Sequence, residues 1–197
     1  MAGGKSRRLG VDKVTSTLGD TPIMQRVVTT LERLCHRIII VTGQARPVPE
    51  LSTGVEIVAV ADLFPGAAAV GGIYTGLYYS DTEYNITVAC DMPFLNPELL
   101  GHMLKATAGY DVVLPRLGEE IEPLHAVYRN SCSTVIQEML TNGDLRIRKM
   151  YEQLKVRYIE SPEYEVYDPK HLSIFNINTS HDLARAKSIL GTKTVYD

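Results

Sequence analysis

Apolar positions along the chain recur with two different periods, in alternating blocks. After Thr21-Pro22, the residues Ile23, Val27, Val28, Leu31 and Leu34 fall on one face of a helix with proline in its first turn. The run Arg37-Ile38-Ile39-Ile40-Val41-Thr42 is continuous and β-branched, the pattern of a strand buried on both faces of a parallel sheet, and it stops at Gly43. Val55 to Ala61 predicts a second such strand ending at Asp62, and Gly71 to Ser80 alternates small and aromatic residues in a helix-compatible way. Tyr84 to Cys90 predicts a third strand running into Asp91-Met92-Pro93, after which Asn96 and Pro97 start a helix that extends through Thr107. Further strands are predicted at Asp111 to Pro115, Glu122 to Arg129 (antiparallel) and Val156 to Glu160. Helices are predicted at Ser133 to Leu140, Arg146 to Leu154 and Asp182 to Leu190, and a short apolar-polar segment at Ile174 to Asn178. Strands alternating with helices imply an α/β fold with a mostly parallel sheet and helices on both faces. No repeat, low-complexity tract or linker interrupts the order, so residues 1–197 are expected to form a single domain.

Composition narrows the partners. The 197 residues are 45% hydrophobic and 22% charged with a formal net charge of -3, a globular balance without a global basic field for nucleic acid. The longest apolar runs are too short to span a bilayer, so no membrane association is expected. Cys35, Cys90 and Cys132 are widely spaced and form no metal-binding or disulfide pattern, and the opening residues carry no secretory signal. A reducing, cytoplasmic setting is expected.

The positive charge is local. Residues 1–13, Met1-Ala2-Gly3-Gly4-Lys5-Ser6-Arg7-Arg8-Leu9-Gly10-Val11-Asp12-Lys13, hold three glycines and four cations. Glycines let backbone N–H groups close on phosphate oxygens, and Arg and Lys add charge-assisted bonds. Neither the Walker A spacing nor the dinucleotide fingerprint occurs. Such a loop normally follows a buried strand whose carboxyl end presents the phosphate site. No strand precedes it in this sequence, so a central sheet position is expected to be vacant or compensated.

Three carboxyl-end positions could complete a nucleotide site. Asp91 follows the third strand and, as a hard oxygen donor at the ligand-binding edge, suits a Mg²⁺ ion that bridges phosphates. Asp62, in Asp62-Leu63-Phe64-Pro65-Gly66, could accept hydrogen bonds from a base or ribose, or simply make the turn. Gln44, after Gly43, has the donor and acceptor pair to read a purine edge, or is a surface residue. Farther on, Asn176 and Asn178 alternate onto one face and could bind a polar second substrate or cap the last helix. Arg146, Arg148 and Lys149 could meet another anion, although a solvated helix face accounts for them as well. His125 is expected to be structural rather than a general base, because phosphoryl transfer to an ionised phosphate needs positioning and charge neutralisation more than proton removal.

Taken together, AGGKSRRLGVDK, the D-L-F-P-G turn with V-G-G-I, CDMPF, EPLHAVY and F-N-I-N-T-S-H-D-L stand in one order over nearly the whole chain. In these motifs the chain resembles the molybdenum cofactor guanylyltransferase family. The resemblance implies a Rossmann-like, three-layer nucleotidyltransferase fold and transfer of GMP from GTP to the phosphate of molybdopterin. It implies backbone contacts to GTP from Met1, Ala2, Gly3 and Gly4, and phosphate contacts from Lys13 and Arg8. Asp62 and Gln44 would meet the nucleoside, Asp91 the nucleotide and Mg²⁺, and Asn176 and Asn178 the molybdopterin. Molybdoenzymes or cofactor-delivery proteins are the implied recipients. Gln44 stands where the family often has Asn, and Ala68-Ala69 where many members have Gly-Pro. Rival readings are a CTP-dependent molybdopterin relative, a sugar-phosphate nucleotidyltransferase, or a nucleotide-binding delivery protein without catalysis.

Overall fold

A computed structural model of the chain describes residues 16–43 and 48–191. It opens on a tight hairpin, β1 (Thr17–Leu18) and β2 (Thr21–Pro22), turned by Gly19 at φ +64. Helix α1 (Ile23–Leu31) starts directly after Pro22, and its apolar face, Ile23, Met24, Val27, Val28 and Leu31, is buried as the spacing requires. Strand β3 (Arg37–Thr42) pairs in parallel with β4 (Glu56–Ala61), Arg37 opposite Glu56. Strand β4 is exposed or half-buried along its length, so the second apolar run is not a doubly covered strand as its composition suggested.

Helix α2 (Ala68–Tyr78) leads to β5 (Tyr84–Val88), and α3 (Pro97–Lys105) to β6 (Val112–Leu117). Asn96 caps α3 as expected, accepting from the Glu98 and Leu99 N–H groups at 2.8 and 3.1 Å with Pro97 at the first helical position. Strand β7 (Glu120–Ile121) folds back on β6 after a turn at Gly118, φ +63, and β8 (His125–Arg129) follows at once. Helices α4 (Cys132–Thr141) and α5 (Ile147–Tyr151), strand β9 (Val156–Glu160), and helices α6 (Ser161–Tyr164) and α7 (Ser180–Gly191) complete the described residues.

The sheet corrects the expectation of mostly parallel pairing. In the five-stranded sheet, β8 lies between β5 and β6 and runs antiparallel to both, and β7 is antiparallel to β6. Among the described residues, only β6 with β9 there, and β3 with β4 in the separate two-stranded sheet, are parallel. The cause is connection length. Between β6 and β8 the chain has a two-residue turn, a short strand and the tripeptide Glu122-Pro123-Leu124, too little for the helical crossover that a parallel neighbour needs. The layering itself is three-deep. Val113 and Val127 point to α1 and α3, while Val112, Leu114, Ala126 and Tyr128 point to α2, α4 and α5.

Strands β3 and β5 border one apolar slot. A cavity of about 250 Å³ runs along Arg37–Val41 and Tyr84–Val88, with Met24, Val27, Val28 and Leu31 of α1 on one side and Ile73 and Leu77 of α2 on the other. Every residue of both strand stretches borders it, which side chains on one face of a sheet could not do, so it follows the backbone edges. Among the described residues neither edge is paired there with another strand. The slot therefore has the position of a central strand between the two sheets.

A buried polar network ties the second half together. The Asp168 carboxylate, with no exposure, accepts from Tyr164 Oη, Leu172 N and Ser173 N at 3.0, 3.0 and 2.7 Å. Ser173 Oγ shares a 2.7 Å hydrogen bond with His125 Nε2 and accepts from Asn96 N at 2.9 Å. The structural reading of His125 fits this placement: burial lowers its pKa to about 4, and a protonated ring would leave Nδ1 a donor with no partner.

One stability outcome follows from these features. For His125, the folded pKa lies below the unfolded value of about 6.5, so the stabilisation is complete above pH 6.5 and is lost as pH falls towards 4. Urea melts should show a loss on the order of 3 kcal/mol across that window, absent from His125→Gln; equal slopes for both proteins would refute it.

Candidate active site

The site builds from the carboxyl end of β5. Its last residue, Val88, passes through Ala89 and Cys90 to Asp91, and Met92, Phe94 and Leu95 then plug into the core, so the loop carrying Asp91 is anchored on its far side by apolar burial. Asn96 at the end of this loop is clamped by four hydrogen bonds, to Ser173, Tyr167, Glu98 and Leu99. The carbonyl of Asp91 accepts from Ile177 N at 3.0 Å, which fastens the C-terminal segment onto the same loop.

That bond brings Asp91 and the Asn176-Ile177-Asn178 segment together. Ile177 is buried, and the alternation leaves Asn176 half-buried and Asn178 exposed on the other side, although the segment is irregular rather than a strand. The backbone N–H groups of Asn178 and Thr179 donate to Asp182 Oδ2 at 3.0 and 2.8 Å, so Asp182 organises the start of α7.

Glu122, which sequence reasoning missed, belongs to this cluster. Its Oε1 accepts from Leu124 N at 3.0 Å, its carboxyl is pushed up first by burial and also by the charge of Asp91, and Asn176 donates to it. The signal available was its place at the head of Glu122-Pro123-Leu124-His125, just before a strand now known to lie beside β5. Asp91 and Glu122 lie close enough for their charges to interact, and both are hard oxygen donors. Among the described residues no group of three or more His, Cys, Asp or Glu gathers, so a Mg²⁺ ion here would complete its shell with substrate phosphates and water, its usual habit.

Asp62 stands at the end of β4, its N–H bonded to Thr42 of β3 at 2.8 Å. Its Oδ1 accepts from Phe64 N and from Thr75 Oγ1, each at 3.0 Å, so this oxygen makes the turn. Around it, Gly71 packs so closely that a Cβ would stand 2.8 Å from the Phe64 carbonyl oxygen, and Ala68 takes a left-handed φ of 49 that glycine would adopt without strain. The Arg146 group is a solvated face: Arg146 and Lys149 pair with Asp144, and Arg148 donates to the Glu119 carbonyl. Met1, Ala2, Gly3, Gly4, Arg8, Lys13 and Gln44 lie outside the described residues. No helix among the described residues is long and apolar enough to cross a membrane.

Residues 1–158 match the MobA-like NTP transferase domain. The chain is 33% identical over 187 residues to a probable molybdenum cofactor guanylyltransferase of Pelotomaculum thermopropionicum, covering 95% of this chain and 89% of the relative. It is 34% identical over 192 residues to the molybdenum cofactor guanylyltransferase of Desulfosudis oleivorans, covering 96% and 93%. The crystal structure of molybdopterin-guanine dinucleotide biosynthesis protein A from Archaeoglobus fulgidus superposes with a TM-score of 0.81 at 28% identity, over 97% of this chain and 96% of that one. Fold alone is shared with 2-C-methyl-D-erythritol 4-phosphate cytidylyltransferase from Thermus thermophilus, TM-score 0.69 at 13% identity over 95% of each chain. A domain match over four-fifths of the sequence, on a fold that gathers Asp91, Glu122 and Asn176 at the end of β5, places this chain in the MobA-like nucleotidyltransferase family.

Proposed function

We propose that the chain transfers GMP from GTP to the phosphate of molybdopterin, giving the guanine dinucleotide form of the cofactor and pyrophosphate. The observation that supports this reading is the backbone bond from Ile177 N to the Asp91 carbonyl, which fastens the Asn176–Asn178 segment to the Asp91 loop, as a site taking the nucleotide on Asp91 and the acceptor on the two asparagines would need. The relatives' names supply the substrates.

Transfer joins a phosphate oxygen of molybdopterin to the α-phosphorus of GTP and breaks the bond from that phosphorus to the bridging oxygen, whose electron pair leaves with pyrophosphate. The attacking phosphate is already ionised, so no general base is needed and His125, buried away from solvent, takes no part. What the protein must supply is alignment and relief of repulsion between two polyanions. The glycine-rich segment Met1, Ala2, Gly3 and Gly4 binds phosphate oxygens through its backbone, Lys13 and Arg8 offset their charge, and Asp62 and Gln44 contact the nucleoside. Asn176 and Asn178 hold the molybdopterin. Mg²⁺ held by Asp91, with Glu122 beside it, would neutralise charge developing on the phosphates when bound.

Asp91→Ala and Lys13→Ala are each expected to lower kcat/KM by about 100-fold or more, equivalent to about 3 kcal/mol of transition-state stabilisation, while changing the unfolding midpoint little. Pyrophosphate release with molybdopterin and Mg²⁺ measures it, with CTP and UTP as competitors against GTP. An Asp91→Ala protein at near full rate would remove the metal assignment, and preference for CTP would replace the nucleotide. GTP binding without any pyrophosphate release would leave a binding protein instead.

A further inference from the structure

The His125–Ser173–Asp168 network lies outside the reacting groups, yet it sits at the start of the segment that carries the two asparagines. We propose that Ser173, held by His125, is the positioning residue of the acceptor half of the site: it fixes the Ile174–Asn178 segment against the Asp91 loop and so sets affinity for molybdopterin rather than for GTP. The inference rests on the reading of Asn176 and Asn178 as molybdopterin ligands.

The geometry points to this division. The segment has two anchors on the nucleotide side. At one end Ser173 Oγ accepts from Asn96 N at 2.9 Å, and at the other Ile177 N donates to the Asp91 carbonyl at 3.0 Å. Ser173 also meets His125 Nε2 at 2.7 Å, which ties the same atom to β8, the strand paired with β5. Its own N–H donates to Asp168 Oδ2 at 2.7 Å, so the residue is held at backbone and side chain at once. Ser173, His125 and Asp168 are all fully buried, so solvent cannot substitute for a lost partner. Between the anchors the chain makes no ladder with another strand among the described residues, so Asn176 is placed by the burial of Ile177 and by the bonds of its own amide to Glu122 and, at 3.3 Å, to the Ile174 carbonyl. Loosening Ser173 frees that stretch while leaving β5, the Asp91 backbone and the cap at Asn96 Oδ1 in place. A side chain displaced by about an ångström is enough to cost a large factor in a positioned site.

The test uses Ser173→Ala, with His125→Gln as the second variant in which an amide replaces the ring nitrogen. Each is examined for the KM of molybdopterin, kcat, the GTP dissociation constant with Mg²⁺ measured with a fluorescent GTP analogue, and thermal unfolding. The expected result is a roughly tenfold rise in the molybdopterin KM, GTP binding within twofold of the parent, and a smaller rise for His125→Gln than for Ser173→Ala. Combining Ser173→Ala with Asn176→Ala and Asn178→Ala should raise the KM no further than the two asparagine changes do, because the serine acts through them. Equal losses for both substrates, full additivity, or an unchanged KM in a folded Ser173→Ala protein would overturn the inference, as would failure of both variants to fold, which would make the network a support of the whole domain. Asn176→Ala with Asn178→Ala leaving the molybdopterin KM unchanged would instead overturn the acceptor reading itself.

Discussion

A carboxylate with no access to water must find donors inside the protein, and the donors Asp168 finds decide how the C-terminal third of this chain is arranged. Two of its three come from consecutive backbone N–H groups, Leu172 and Ser173, which bends the chain at the one point where it must leave α6 and cross to the carboxyl end of β5. The third, Tyr164, belongs to that helix. Once the bend is set, Ser173 has a single environment available, between Asn96 and His125, and Ile177 arrives at the Asp91 carbonyl. Removal of either partner from such a network leaves the other buried and unsatisfied, which is why it acts as one unit.

The same elements explain what could be read ahead of the structure. Long periodic stretches were legible because burial enforces them: the face of α1, the β-branched run of β3, and the Asn96-Pro97 start of α3 need only local chemistry. The place of Asp91, just beyond the carboxyl end of β5, was legible for a related reason, since the apolar run Tyr84 to Cys90 marks where the strand ends. Strand order was not legible. Whether β8 enters between β5 and β6 depends on which edges are free, and the residues of His125–Arg129 do not encode that. The short link after Gly118 implies an antiparallel return, because the length of what joins two strands, and not their alternation with helices, fixes their relative direction. Glu122 escaped for the same reason, because its neighbours Asp91 and Asn176 are 31 and 54 residues away and meet it only through the pairing of β5 with β8 and the Ile177 bond.

The insertion of β8 has a chemical consequence. An all-parallel sheet would turn every carboxyl end to one side, and a second carboxylate could then come only from another strand's end. An antiparallel β8 presents its amino end there instead, so the residues just before it, Glu122-Pro123-Leu124, lie beside the loop after β5. Ala89 N bonds to the Leu124 carbonyl at 2.9 Å, and this contact delivers Glu122 to Asp91. The departure from parallel order is thus what supplies the acidic pair, and with it the tension between two carboxylates that a cation or a proton relieves.

The slot bears on this site through β5. One edge of β5 is held by five paired positions to β8, while the other borders the cavity with β3. Among the described residues β5 is thus paired along one edge, and a strand so held is freer to twist and shift than a central one; Asp91 sits three residues beyond its end. The clamps at Asn96 and at the Asp91 carbonyl lie on the far side of that loop, so they resist displacement of Asp91 relative to the C-terminal segment but not relative to β3 and Asp62. Among the described residues the Asn176–Asn178 segment and the Asp91 loop are thus tied to each other by hydrogen bonds, while no strand pairing joins β3 to β5 across the slot to set the distance between Asp62 and Asp91. An extended, apolar segment lying in the slot would pair both strand edges and fix that distance at once, so packing of the sheet centre and, on the proposed function, alignment of the nucleotide are one physical problem.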